Sequence, residues 1–204
     1  QIQPAVTTLK DGTVVVVLGS YGQDGSLQGV SGQRFTAAGD KLGTEFRLNQ
    51  YTDNNQRTPA VAALNGGGFV AVWVSDLRRA SASVDVYARL FDASGSPLGG
   101  EFAVNTSTTN ICANPAVAGS SDGGFAVTWG QNDNAVRAME SRTGVPAAKR
   151  SEKGWDVFAR LFDGAGVAQG SPVRLNTHLY GDQFAPKIST FGKEYLTVWT
   201  SIGQ

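Results

Sequence analysis

The chain has 204 residues, with 17 basic against 17 acidic side chains. That balance argues against a general nucleic-acid or anionic-membrane surface as partner. The single cysteine, Cys112, excludes an internal disulfide, and the lone histidine, His178, leaves no Cys/His cluster for zinc. No apolar run approaches the roughly 20 residues of a membrane span. The sequence begins at Gln1 without a signal-like segment, which leads to the expectation of a processed chain or a fragment of a longer protein.

Residues 1–50 form the first of four related units. Pro4-Ala-Val-Thr is followed by an Asp11-Gly12 turn, the apolar run VVVVL (14–18), a glycine-rich loop holding Asp24, the run VSGQRF (30–35), a turn at Gly39 and a run ending in Asn49. A polar link, 51–58, leads to the second and clearest unit, 59–105. It reads Pro59-Ala-Val-Ala, Gly66-Gly67-Gly68, FVAVW (69–73), a loop with Arg78 and Arg79, VYARLF (86–91), a turn at Gly95 and a run ending in Asn105. The next link holds Cys112, three residues before Pro115, where the other links carry Gln56 and Gln183. The third unit, 115–176, repeats the pattern through Asp122-Gly123-Gly124, FAVTW (125–129), VFARLF (157–162), Gly166 and Asn176, with an insertion at 130–154. A link with His178 precedes Pro186-Lys-Ile-Ser and YLTVW (195–199), the partial fourth unit, 186–204.

Each run is short, rich in β-branched and aromatic residues, and bounded by Gly, Pro, Asn, Asp or Ser, which is the signature of strands. No stretch holds a helical period over three turns. One small four-stranded antiparallel sheet cannot bury both faces alone; copies stacked around an axis can. The spacing from Pro4 to Pro59 is 55 residues and from Pro59 to Pro115 it is 56. The expected fold is therefore all-β, a β-propeller-like array of four-stranded antiparallel blades, about three and a half in one repeat domain, with a sandwich or solenoid as the alternative. The half blade leads to the expectation that this piece is completed by other copies of the chain or by further blades of a longer protein.

Leu18, Trp73, Trp129 and Trp199 share one repeat position at the end of the second strand. Large apolar groups repeated in every unit are expected between blades rather than on a ligand. Trp155 has no such counterpart, since Val84 stands at its place in the second unit.

At PAVAALNGGGFVAVWVS, DVYARLFDASGSPLGGEFAVNT and NPAVAGSSDGGFAVTW the sequence resembles the tandem units of very large secreted bacterial proteins of the RTX-type and adhesin-like group, similar units of which occur in algal surface proteins. The resemblance covers nearly all of the chain except 135–153. It implies an extracellular or cell-surface location and calcium. The chain departs from the pattern at Leu18, Thr36 and Pro172, and Arg78-Arg79 and the basic insertion replace the acid-glycine loops of units two and three.

Chemistry is sparse. Cys112 and His178 lie 66 residues apart, so a Cys–His nucleophile has little support. The repeat-equivalent pairs Asp85/Asp156 and Asp92/Asp163 read as structural, the second pair as turn residues. Asp24, Asp53 and Asp133 are the candidate calcium ligands, although none sits in an EF-hand or nonapeptide pattern; no other cofactor is expected. Asn105-Thr106-Ser107 is a glycosylation sequon, but Asn stands at 49 and 176 without one, so a role inside the blade is expected. Arg137, Arg142, Lys149, Arg150 and Lys153 of the insertion are the candidate partner-binding residues. Trp155, Tyr21, Tyr51 and Tyr180 are the candidate stacking faces for a glycan. On this reading the chain is expected to be a non-catalytic extracellular scaffold or adhesion module, not an enzyme. A lectin-like carbohydrate-binding propeller is the alternative, and a polysaccharide-acting enzyme a third.

Overall fold

A computed structural model describes residues 1–132 and 154–203. The described residues are all strand, turn and loop, with no helix. The chain builds three four-stranded antiparallel meanders and a hairpin. The first meander is β1 (Ile2–Thr8), β2 (Val14–Tyr21), β3 (Gln28–Phe35) and β4 (Lys41–Arg47). The second is β5 (Gln56–Ala63), β6 (Phe69–Asp76), β7 (Val84–Phe91) and β8 (Phe102–Ala103). The third is β9 (Ile111–Gly119), β10 (Phe125–Asn132), β11 (Trp155–Phe162) and β12 (Val173–Arg174). The hairpin is β13 (Asp182–Phe191) with β14 (Glu194–Ile202). This is the propeller-like array of blades expected from the repeat, three and a half of them.

The prolines explain the inner strands. Gln3, Thr58, Asn114 and Ala185 each precede a proline and each has a positive φ, between 50° and 53°. A proline disfavours the right-handed helical region for its predecessor, and here the chain answers with a bulge: the ladder registers shift at Ile2/Ala5, Arg57/Ala60, Thr128/Gly130 and Phe184/Lys187. The four bulges converge on one space of about 390 Å³, lined among others by Pro4, Pro59, Pro115 and Lys187. That space marks the axis around which the inner strands gather.

Alternation along the second strands divides the blades' two faces. Phe69, Ala71 and Trp73 pack toward unit one with Val15, Val17 and Leu48. Val70 and Val72 face the other way and pack with Phe125, Val127 and Trp129 of unit three. Trp73 and Trp129 are fully buried, as the repeat predicts, and Trp199 is half-buried. Aromatic rings repeat the joint: Phe69 stacks on Phe91 and Phe125 on Phe162, each pair at 5.0 Å, with Phe46 and Phe102 of the preceding units closing over them at 6.0 and 5.6 Å.

A charged clasp follows the same repeat. Arg89 donates to Leu48 O of unit one at 3.2 Å, and Arg160 to Val104 O of unit two at 2.9 Å. Each also donates from Nε to its own blade, at Gly99 O and Gly170 O. In unit one the position is Gln33, whose amide turns inward to Arg34 O and Leu42 O. Asp92 and Asp163 are turn residues, as expected: each Oδ1 accepts from backbone amides two and four residues on.

Candidate functional site

The links between units and the loops between second and third strands lie at one end of the blades. Three buried asparagines organise that end. Asn49, Asn105 and Asn176 accept from the amides of Val30, Val86 and Val157 at 3.0, 2.9 and 2.8 Å, tying the last strand of each unit to its third. Their Nδ2 groups donate to the carbonyls of Tyr51, Ser107 and His178, each at 2.8 Å, and so fix the start of each link. Buried polar groups of this kind must be satisfied, and these are. Burial of Asn105 accounts for it without a glycan.

The same Nδ2 groups reach a carboxylate in each unit: Asp24 at 3.1 Å, Asp85 at 2.9 Å and Asp156 at 2.6 Å. Asp85 and Asp156 are repeat-equivalent, but Asp24 is not. The residue at their place in unit one is Gly29, and a Cβ there would stand 2.5 Å from Asp24 Oδ2. The loop carboxylate folds into the room that the glycine leaves. Asp24 is thus committed to Asn49 and to the Ser26 amide.

The link after unit three is the most open. Asn176 holds His178 through its carbonyl, and Gln183, fully buried, donates from Nε2 to Tyr180 O at 3.0 Å. Gly181, with φ of 75°, passes so near Ile202 O that a side chain there would collide with backbone. The backbone is pinned while the side chains of His178, Leu179 and Tyr180 point outward and are exposed. They line a cleft of about 620 Å³ with Asp156, Phe158 and Arg174. Arg174 stands 3.8 Å from Asp156 Oδ2, and Asp156 Oδ1 is taken by Asn176. The cleft therefore offers a cation, a carboxylate oxygen with room to accept, an imidazole, and the faces of Tyr180 and Phe158.

The other sites expected from sequence fall elsewhere. Trp155 starts β11 beside the cleft; its ring lies over Gly130 and its amide donates to Asp182 Oδ1 at 3.0 Å. Tyr21 is exposed on the loop end of unit one. Tyr51 is half-buried, and the Arg78 guanidinium lies between it and Tyr87, at 4.8 and 4.1 Å from the ring centroids. Of the four candidate stacking residues, only Tyr180 lines the cleft. Asp53 lies in the first link, where its carbonyl accepts from Gln56. Asp133, Arg137, Arg142, Lys149, Arg150 and Lys153 lie outside the described residues. Among the described residues no three acidic, His or Cys side chains converge as a metal site. Cys112 is buried beside Asp85 and Arg79, and burial pushes its thiol pKa well up, which makes it inert rather than nucleophilic.

Sequence reasoning missed Arg174, Phe158 and Asp156 as cleft residues. The available signal reaches only the link residues: the seven-residue step from Asn to the next Gln or Cys is constant, at 49–56, 105–112 and 176–183, while the side chains between vary, which points to His178, Leu179 and Tyr180 and not to those three. Variable residues on a fixed link are where a binding surface is placed.

No protein-family model matches the sequence, and no curated protein does. Solved structures do match the fold. The α-L-arabinanase of Penicillium chrysogenum, solved with arabinobiose, is 16% identical and superposes over 100% of this chain and 60% of its own, with a TM-score of 0.59. The endo-arabinase of Bacteroides thetaiotaomicron is 12% identical over 100% of this chain and 76% of its own, at 0.55. An α-L-arabinofuranosidase from Lactobacillus brevis is 10% identical over 99% and 63%, at 0.57. The chain thus spans about 60% of the length of the first of these. At such identities the likeness is one of fold.

These neighbours correct the expectation of a non-catalytic scaffold or adhesion module and the reading that the chain is not an enzyme. The fold is one that glycoside-acting enzymes use from end to end of this chain. The expectation failed on its premise. It counted few acid/base candidates because the repeat-equivalent aspartates read as structural, whereas glycosidic bonds are cut by carboxyl groups, which any turn-rich sheet protein has in number.

Proposed function

We propose that this chain belongs to a polysaccharide-acting propeller and that the cleft between units three and four is a sugar-binding subsite of it. The observation that carries the reading is the cleft itself, in which exposed Tyr180 and His178 stand on a link whose backbone Asn176 and Gln183 hold still, with exposed Arg174 of β12 beside them. Sugar sites combine an apolar ring for the flat face of a pyranose or furanose with charged groups for its hydroxyls. Tyr180 and Phe158 supply the first, and Arg174 and Asp156 Oδ2 the second. The names of the neighbours in fold point to arabinose-containing polysaccharides as the first substrates to try.

Asp156 is the one carboxylate among the described residues lining the cleft. Hydrolysis by acid and base or nucleophile takes two, so Asp156 alone does not supply a bond-cleaving pair, and the role proposed for the cleft is to hold substrate. The test is affinity electrophoresis and reducing-end release against arabinan, arabinoxylan, xylan and β-glucan. Retardation or release with an arabinose-containing polymer, lost in Tyr180→Ala and Arg174→Ala, is expected. No retardation and no release on any of the four would overturn the proposal.

A further inference from the structure

The joint between units one and two and the joint between units two and three share one frame and part at a single carboxylate. Between units one and two, Glu101, which immediately precedes β8, reaches back over the link. Its Oε2 accepts from the Gln50 amide and its Oε1 from the Tyr51 amide, each at 2.9 Å. Gln50 returns the bond, its Oε1 accepting from the Glu101 amide at 2.9 Å. Arg78 pairs with the same carboxylate, whose side chain is buried, and the charge of Glu101 also acts on Arg89. A carboxylate held by backbone amides and a guanidinium makes charge-assisted bonds, shorter and stronger than neutral ones.

Between units two and three the frame returns. Arg160 donates to Val104 O as Arg89 does to Leu48 O. Phe102 closes over Phe162 as Phe46 does over Phe91. Asn105 holds the link carbonyl of Ser107 as Asn49 holds that of Tyr51. The amides of Thr106 and Ser107 therefore take the places of those of Gln50 and Tyr51. At the place of Glu101 stands Pro172, which has neither a carboxylate nor an N–H. Among the described residues nothing accepts from the Thr106 or the Ser107 amide, and Thr106 is exposed and Ser107 half-buried. We propose that these two amides, with the Arg160 guanidinium held at Val104 two residues before, form a binding site for a ligand carboxylate, in the place that Glu101 fills from within at the other joint. The sugar-binding reading makes a uronic acid the first carboxylate to try. The site itself rests on the repeat of the joint and not on the cleft at Tyr180, so the two can fail separately.

The test titrates the whole chain, labelled with nitrogen-15, with sodium glucuronate and separately with glucose at matched ionic strength, and follows backbone amide shifts by NMR. Saturable shifts centred on Thr106 and Ser107 are expected with glucuronate and none there with glucose. Pro172→Glu gives this joint the carboxylate that Glu101 supplies at the other, and should weaken glucuronate binding by at least ~10-fold. Pro172→Ala removes the ring without adding a charge, and should bind like the parent. Absence of shifts at the two amides, equal shifts with glucose, or binding undiminished in Pro172→Glu would overturn the proposal. So would binding lost equally in Pro172→Ala, since the proline and not the open pair of amides would then be what the ligand needs.

Discussion

The junction between units two and three and the junction between units one and two solve the same problem with different residues. Between units one and two, Gln56 on β5 accepts at Oε1 from Asn49 Nδ2 at 3.2 Å and donates from Nε2 to the link carbonyl of Asp53. Its cross-strand partner is the small Ser75. The hairpin repeats that solution, with Gln183 bonded to Asn176 and paired across to Ser201. Between units two and three the sizes are exchanged: Cys112 sits on β9 and Gln131 opposite it on β10. The amide now comes from the neighbouring strand, and Gln131 Oε1 accepts from the Trp129 indole at 3.1 Å. Arg79 fills the remaining space, ion-paired to the buried Asp85 and donating to Ser107 O. The difference teaches that the position is selected for total volume and one amide, and that either strand can provide them. It also has a cost. Among the described residues the Trp73 indole N–H, whose neighbour is Ser75 rather than a Gln, has no partner, and neither does Ser75 Oγ.

The largest way to break the comparison is to empty one of the two indole pockets. Trp129→Ala removes a fully buried ring that stacks on Phe158 at 6.1 Å and should destabilise by about 3–5 kcal/mol, read as a fall in denaturation midpoint. Trp129→Phe should cost more than Trp73→Phe by about 1 kcal/mol, because only Trp129 surrenders a hydrogen bond.

Next comes the asparagine. Asn105→Ala leaves the Val86 amide without its side-chain partner and breaks the tie to Asp85. A loss of about 1–3 kcal/mol is expected, with faster amide exchange at Val86 as the specific readout.

The exchange of sizes can be tested directly. Cys112→Gln alone should crowd Gln131, and Gln131→Ser alone should orphan Trp129. The double variant rebuilds the junction of unit one with unit two, and should lie closer to the parent than the sum of the singles by roughly 0.5–3 kcal/mol. Additive singles would show that the two sites do not share a space.

The smallest effect is that of acid. Hydrogen bonds from Thr13, from Ser94 and from Ser120 hold the carboxyls of Asp11, Asp92 and Asp122 below the ordinary aspartate value. Groups lowered in the folded state add stability above their unfolded pKa and lose it as pH falls through the folded one. A melting curve flat from pH 7 to 5 and declining below about pH 4 is expected. Asp11 and Asp122 are exposed and Asp92 is half-buried, all three in turns, so the decline should be shallow.

The repeat made the blades legible. Period, turn residues and alternation placed the second and third strands of each unit, and the recurring Trp placed the core between them. The fourth strands were harder, because β8 and β12 are two residues each and their place is fixed by asparagine bonds rather than by pattern. The bulge before each proline is invisible to alternation, since a left-handed residue shifts the register without altering composition. Of the cleft, only Tyr180 could be picked from the sequence as a surface aromatic. Phe158 and Asp156 are repeat residues with partners in other units, and it is the junction with the hairpin that leaves them open. Asp24 occupies, through the room left by Gly29, the place that Asp85 holds in the next unit, which composition alone does not reveal.

Calorimetric titration with short arabino-oligosaccharides bears most directly on the cleft. The account predicts binding with an enthalpy that disappears in Tyr180→Ala and falls in Arg174→Ala, while Tyr21→Ala, on the loop end of unit one, binds like the parent. Heat that is unchanged in Tyr180→Ala, or binding abolished by Tyr21→Ala instead, would contradict it.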